Sequence, residues 1–536
     1  MGVGRGDVLV RPHASSPRDG AARRERPVAS VVVEDVVGFG IVVGLVCAVL
    51  LLAVVSNRIG DRVGIPAPAV FLVAAAVASD VVPGLTPRSI ESVQRLVTVA
   101  LIAILFNGGL DLGWPRFRAN VGAITWLGVA GTFVTAGALA LAGHLIFGFD
   151  WQLALLIGTA LAPTDPAVVF SVLGRREISG RSATILEGES GANDPVGISL
   201  MVALLTAASA GAGGGAALTV VEEFALQMVV GALAGIAGGR IMVRALRPPL
   251  PSEGLYVIRA IALVGLIYGV AVAARGSGFL AVFLAGIVVA DARAPYKRDI
   301  ERFANATASL GEIVAFTVLG LTINIRNVLS SDAWWIGLGL AVLLAVVVRP
   351  LLVGLVSLPV RLDRSERLFV LFAGLKGAVP ILLGTYILTS GQPDPVRAYG
   401  IVFVVVLFSV VVQGGLVPAV AQRLRLPVRI VEQEPWALGL RFRDEPQGLH
   451  RFTIAAGALA DGSRMEDLTL GENVWISFVG RDGALVQVRG DTRLRAGDEV
   501  LVLADPSDAG DVARLFTEPV DRRSTTGRSD GPPVPG

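Results

Sequence analysis

The chain of 536 residues has one cysteine, Cys47, three histidines, and only two lysines, Lys297 and Lys376, among its 46 basic residues. A single cysteine inside an apolar run excludes a disulfide framework and a thiolate metal site. His13, His144 and His450 are scattered among loops and tails. They suggest neither a metal cluster nor a nucleophile–base pair, so an enzyme is not expected and no cofactor is implied. Charge is scarce as well: 17% of residues are charged, against about 25% in a soluble globular domain. The net charge of +2 gives no electrostatic footprint for nucleic acid. These shortages exclude a fully soluble chain and a disordered one.

What the chain has in quantity is apolar sequence: 53% of residues are hydrophobic and the mean hydropathy is +0.68. Thirteen hydrophobic stretches lie near 37–57, 66–82, 93–112, 121–147, 151–173, 184–208, 221–243, 255–274, 278–291, 304–325, 333–358, 367–389 and 399–422. Most reach the ~20 residues that carry a helix across a bilayer core; the stretch at 278–291 is short. The expected fold is an all-α polytopic membrane protein of about 13 transmembrane helices, followed by a small C-terminal α/β domain. The layout read from composition is a polar tail at 1–35, a membrane domain at 36–425, a linker at 426–445, the α/β domain at 446–520 and a disordered tail at 521–536. The tail has no hydrophobic run that would read as a signal peptide.

Loop charges give the orientation. The odd-numbered loops carry Arg58, Arg62, Arg116, Arg118, Arg175 and twelve further basic residues, whereas the even-numbered loops carry only Arg88, Arg95, Arg275, Arg326 and Arg397. The excess of positive charge marks the cytoplasmic side. The N-terminus is therefore expected outside and the C-terminal domain in the cytoplasm of a cell-membrane protein. The arginines of the N-terminal tail run against this count, and the twelve loops outweigh them. Residues 450–516 show short apolar runs at 452–456, 474–479, 484–488 and 499–503 with a turn at Arg481-Asp482-Gly483, and 508–516 reads as a closing helix. The Gly-rich stretch 211–215 lacks the strand and helix of a phosphate-binding loop and reads as a linker.

Charges in the middle of spans are the informative signal, because each costs roughly 2.5–3.5 kcal/mol at the bilayer centre by insertion scales. Asp165 sits in the fifth stretch between two prolines, in Ala162-Pro163-Thr164-Asp165-Pro166. Each proline disrupts the helix, and freed carbonyls and helix ends can then face a polar cavity. A plainer reading is a kinked helix whose Asp165 caps its own second half. The sixth stretch reads Glu189-Ser190-Gly191-Ala192-Asn193-Asp194. Glu189 with Asn193, and Ser190 with Asp194, are four apart and share helix faces. Hydroxyl and carboxylate oxygens from Thr164, Asp165, Ser190 and Asp194 suit a hard alkali cation better than a transition metal. Lys376, in the twelfth stretch, needs a counter-ion if buried, and Glu189 is the expected partner. Arg259 and Glu312 also fall within spans and receive no role.

Thr164-Asp165-Pro166, then Glu189-Ser190-x-x-Asn193-Asp194, then Gly374-Leu375-Lys376-Gly377-Ala378 together resemble the cation/proton antiporter-1 family, over roughly residues 35–425. The resemblance implies inverted repeats, two broken crossing helices and a homodimer. It implies that Asp194 is the ion-binding carboxylate with Asp165 beside it, and that Thr164 and Ser190 lend oxygens. Glu189 and Asn193 would hold the site in shape with Lys376. The family usually has arginine at this last position, so the lysine is a departure that loses a bidentate fork. A neutral Asn193, where related electrogenic exchangers have aspartate, implies electroneutral exchange.

Further on, Val479-Gly480-Arg481-Asp482-Gly483 and Arg489-Gly490-Asp491-Thr492-x-Leu494-x-Ala496-Gly497-Asp498-Glu499 resemble the TrkA C-terminal (RCK-C) domain. Such domains regulate potassium transport systems, which implies a small-molecule or nucleotide regulator here and shifts the expected substrate to K⁺. The expectation is a K⁺/H⁺ antiporter in which cation and proton compete for one carboxylate. A Na⁺(Li⁺)/H⁺ antiporter is the alternative. An RCK-regulated channel is less favoured, because no Thr-Val-Gly-Tyr-Gly filter occurs.

Overall fold

The computed structural model describes residues 66–426 apart from 88, 174–175, 179–180, 210–214 and 293, and then 428–430 and 449–518 apart from 469, 471–473, 482–483 and 505–508. Of residues 1–65 it describes only isolated positions of the first apolar stretch. The tails, most of the linker, most of the first span and most of the Gly-rich stretch therefore lie outside the described residues.

From residue 66 onward each expected stretch coincides with a helix or with two half-helices. Eight helices among the described residues are long and apolar enough to cross a bilayer: Ile90–Leu112, Trp114–Leu145, Arg181–Ser209, Ala216–Leu246, Gly254–Ala273, Lys297–Leu321, Ala333–Val356 and Pro395–Arg423. Ala67–Val81, Trp151–Ala160, Gly278–Ala290 and Ala378–Leu388 are shorter apolar helices. With water absent, backbone polar groups must be satisfied within the segment, so long apolar sequence forms helix.

The described helices sort into two compact units. In one, residues 101–124 join 202–309. The short helix Gly278–Ala290 is almost wholly buried. Its 13 residues rise about 20 Å, short of the ~30 Å core, and interior burial accounts for its weak span signal. Gly231, Gly235 and Gly239 recur every fourth residue on Ala216–Leu246, and a Cβ at Gly231 or Gly235 would stand 2.6 Å from the carbonyl oxygens of Ser277 or Ala281. Absence of side chains lets the two backbones touch, which is how helices associate without a hydrophobic driving force. Arg259 in this unit donates to the Leu246 and Pro248 carbonyls at 2.8 and 3.0 Å, and lies over the Tyr256 ring. It caps the end of the Ala216–Leu246 helix.

The other unit holds residues 67–100, 125–201 and 310–426. It contains two interrupted spans. Trp151–Ala160 stops, residues 161–165 run irregularly, and helix resumes at Pro166–Leu173. Likewise Arg364–Phe372 stops and Ala378–Leu388 begins after an irregular 373–377. Three long helices of this unit contain π-helical turns, at Leu127–Gly131, Leu344–Val353 and Ser409–Gln413. Such turns insert a residue into the ladder and often mark functional positions.

The C-terminal module is a four-stranded antiparallel sheet in the order Leu449–Thr453, Glu499–Ala504, Val474–Arg481, Ala484–Val486. The helix Ala509–Thr517 closes it, and Ile454, Val479, Val500, Val502, Val512 and Phe516 form its core. The first strand lies three residues earlier than the apolar run 452–456 suggests. Arg481 pairs with Ala484, the register of a two-residue hairpin turn. Arg481 grips the buried Asp498 through Nε and Nη2 at 2.8 and 2.7 Å. Burial pushes the Asp498 carboxyl up, but these bonds, the Arg495 backbone donor and the two nearby positive charges hold it below the usual carboxylate range.

Candidate ion-exchange site

The two interruptions meet. The Asp165 amide donates to the Leu375 carbonyl at 2.8 Å, so the break in one span is hydrogen-bonded to the break in the other. Each break frees carbonyls that an apolar environment does not tolerate, and charged or polar side chains take them up. Lys376 Nζ donates to the Ala162 and Pro163 carbonyls at 2.9 and 3.0 Å, on the negative end of the half-helix Trp151–Ala160. Ser190 Oγ donates to the Thr164 carbonyl at 2.7 Å. Gln413 Nε2 donates to the Phe372 carbonyl at 2.7 Å, and Ser409 Oγ accepts from the Lys376 amide at 3.0 Å. Both of the latter side chains lie on the π-helical turn Ser409–Gln413.

The prolines around Asp165 act as the sequence suggests. Pro166 opens the second half-helix, where its missing amide costs nothing. Asp165 Oδ1 accepts from the Ala167 amide at 2.9 Å, so the carboxylate does cap its own second half-helix. Its other oxygen faces Gly377, where a Cβ would fall 1.9 Å from Oδ2. Gly377 is thus the space Asp165 occupies.

Thr164, in the break, meets Ser190 and Asn193 of the facing helix Arg181–Ser209, which also carries Asp194. Asn193 Nδ2 donates to Thr164 Oγ1 at 2.6 Å while Asn193 Oδ1 accepts from the Thr164 amide at 3.3 Å. The amide side chain therefore clamps the broken segment onto its neighbour. Asp194 is 7% exposed and its Oδ1 is buried without a hydrogen-bond partner. A buried carboxylate oxygen with no donor carries a full desolvation penalty. A proton or a cation relieves it, and the hydroxyl oxygens of Thr164 and Ser190 in the same cluster are hard ligands of the kind an alkali ion takes.

One expected pairing is not formed. Glu189 does not meet Lys376; its Oε1 accepts from Arg349 Nη1 at 2.9 Å, with both side chains nearly inaccessible. The lysine reaches carbonyls instead, because its single ammonium sits at the end of the half-helix in the other broken span. Arg349 has the planar fork for several acceptors: it also donates to the Leu371 and Val370 carbonyls at 3.3 and 3.4 Å. It lies in the π-helical stretch Leu344–Val353 beside Pro350, and a Cβ at Gly374 would stand 1.6 Å from its Nη2. The sequence reading gave Arg349 no role. The signal was present, a lone charge next to a proline inside the stretch 333–358.

Residues 45–423 match the family described as sodium/hydrogen exchanger, transmembrane, and residues 449–517 match the TrkA-C domain. The chain is 31% identical to the K(+)/H(+) antiporter NhaP of Alkalimonas amylolytica over 90% of this chain and 84% of that protein. It is 28% identical to the K(+)/H(+) antiporter NhaP2 of Shewanella oneidensis over 87% of this chain and 81% of that one. The solved sodium proton antiporter MjNhaP1 of Methanocaldococcus jannaschii shares the fold, with a TM-score of 0.61 at 19% identity, covering 72% of this chain and 99% of that one. Two broken helices hydrogen-bonded at their breaks and a family match over most of the membrane part agree: this chain belongs to the sodium/hydrogen exchanger family, as a multi-pass membrane protein that also carries a TrkA-C domain.

Proposed function

We propose that the protein exchanges K⁺ for H⁺ across the cell membrane, by competition of the two ions for Asp194. The observation that carries the reading is the buried, donor-free Oδ1 of Asp194, next to Asn193, which holds the helix against the break at Thr164. A desolvated carboxylate holds a proton, and a cation favours the ionised form. The entering cation therefore displaces the proton, and each ion opposes the other at one site. Asp165 is the second carboxylate, Thr164 and Ser190 supply hydroxyl oxygens, and Asn193 fixes the broken segment. Arg349 and Glu189 neutralise each other, and Asn193 adds no titrating group, so exchange of one cation for one proton leaves the charge unchanged. Alternate opening of the site to the two faces of the membrane completes the exchange.

The K(+)/H(+) names of relatives that span most of this chain support K⁺ as the cation. Loop charges favour an outside N-terminus and a cytoplasmic TrkA-C module, placed there to regulate exchange. The test uses everted membrane vesicles holding a pH probe and an imposed acid-inside gradient. Addition of K⁺ is expected to dissipate the gradient with wild type and not with Asp194→Asn. Dissipation by Na⁺ alone would keep the site and reassign the ion. Exchange by Asp194→Asn at the wild-type rate would overturn the site.

A further inference from the structure

The last span, Pro395–Arg423, carries no charged residue between Arg397 and Arg423, yet it holds one of the two breaks together. Where Arg364–Phe372 stops, its last four carbonyls need partners that the helix no longer supplies. The Ala373 amide donates to the Phe369 carbonyl at 2.7 Å, and Arg349 donates to those of Val370 and Leu371. The Phe372 carbonyl is left to the last span, where Gln413 Nε2 donates to it at 2.7 Å. On the far side of the break, the Lys376 amide donates to Ser409 Oγ at 3.0 Å, and Ser409 Oγ donates on to Gln413 Oε1 at 3.3 Å. These bonds form one bridge, Lys376 to Ser409 to Gln413 to Phe372, across the irregular segment 373–377. Ser409 and Gln413 are 3% and 8% exposed. The bridge therefore lies out of water, and opening it leaves buried polar groups unpaired.

The bridged segment is what supports the ion ligands of the other break. Lys376 Nζ holds the Ala162 and Pro163 carbonyls, the Leu375 carbonyl holds the Asp165 amide, and Gly377 leaves the room that the Asp165 carboxylate fills. Thr164 and Asp165 thus take their places from residues 375–377, and those residues are held in turn by Ser409 and Gln413. We propose that Ser409 and Gln413 are positioning residues of the exchange site, which keep the cation's oxygen ligands in register by bracing the second break. The proposal rests on the ion-exchange reading above. A hard cation needs several oxygens placed together, whereas a proton needs one. Slackening the brace therefore weakens cation binding more than protonation. Side chains that merely glue helices to one another would change how much protein assembles and leave the cation dependence alone.

The test is K⁺-driven proton flux in everted vesicles, measured across K⁺ concentrations and normalised to assembled protein. The chains are wild type, Ser409→Ala, Ser409→Thr, Gln413→Met and Asp194→Asn. K⁺-dependent thermal stabilisation of the purified full chain serves as a readout that does not need turnover. Ser409→Ala and Gln413→Met each open the bridge with little change of volume. Each should raise the K⁺ concentration for half-maximal flux and stabilisation several-fold, while the maximal rate per assembled molecule falls by less. Ser409→Thr keeps the hydroxyl and should return the wild-type K⁺ dependence. If either bridge-opening variant assembles and keeps the wild-type half-maximal K⁺, the proposal falls, however little protein is made. It falls as well if neither assembles, since the bridge is then a folding element, or if Ser409→Thr behaves as Ser409→Ala does. Exchange by Asp194→Asn at the wild-type rate would overturn the exchange site itself, which keeps that failure distinct.

Discussion

Removal of the Arg349 guanidinium should be among the most damaging single changes in the membrane domain. The residue is 3% exposed, and its side chain donates to the Glu189 carboxylate at 2.9 Å and to two helix-end carbonyls at 3.3 and 3.4 Å. In Arg349→Met the volume is largely kept, so cavity formation is a minor part of the cost. What remains is a buried glutamate without a counter-charge, and breaking such a pair from one side costs about 3–5 kcal/mol. The two carbonyl bonds are long and add little, because a group at the edge of hydrogen-bond range has little to lose. Glu189→Gln in the same chain removes the stranded charge, so the double variant should recover about 2 kcal/mol or more of that loss. Reversible unfolding in mixed micelles with increasing SDS measures all four members of the cycle. A loss below about 1 kcal/mol for Arg349→Met, or no recovery on adding Glu189→Gln, would refute the assignment of Arg349 as the charge partner of Glu189.

Gly377→Ala puts a Cβ 1.9 Å from Asp165 Oδ2; flux in vesicles should fall with the chain still inserted, since the carboxylate must leave its place. Thr164→Val removes the acceptor of the 2.6 Å bond from Asn193 at nearly constant volume, and should raise the K⁺ requirement of exchange while costing about 1–3 kcal/mol in stability. In the TrkA-C module the folded Asp498 carboxyl lies below its ordinary value. Its stabilisation is therefore present above the unfolded carboxyl range near ~4 and lost as pH falls through the folded value. Hydrogen exchange of residues 449–517 in the full chain should show the module loosening at acid pH, and Asp498→Asn should be loosened already at neutral pH, with a flatter pH response.

The positions of the helices were legible because a bilayer forces one solution: apolar runs near ~20 residues become helix, and their order is the order of the chain. The same logic made the acids visible, since Asp165, Asp194 and Glu189 stand out against an apolar background, and Pro163 and Pro166 announced a break beside Asp165. The second break was less visible. The segment 373–377 carries two glycines and no proline, and its glycines are there for what crosses them, Arg349 at Gly374 and Asp165 at Gly377. Partner choice was decided by tertiary structure alone. Residues 189, 349 and 376 are far apart along the chain, and nothing local says which base meets Glu189 and which satisfies the Ala162 and Pro163 carbonyls. Crossing of the broken spans settles it: the ammonium, a compact point charge, lands on a helix end, and the arginine fork spans a carboxylate and two carbonyls. Residue chemistry by itself determined the fold class and marked the intramembrane carboxylates; only the packed helices determined which charges pair and that an Asp194 oxygen is left without a donor.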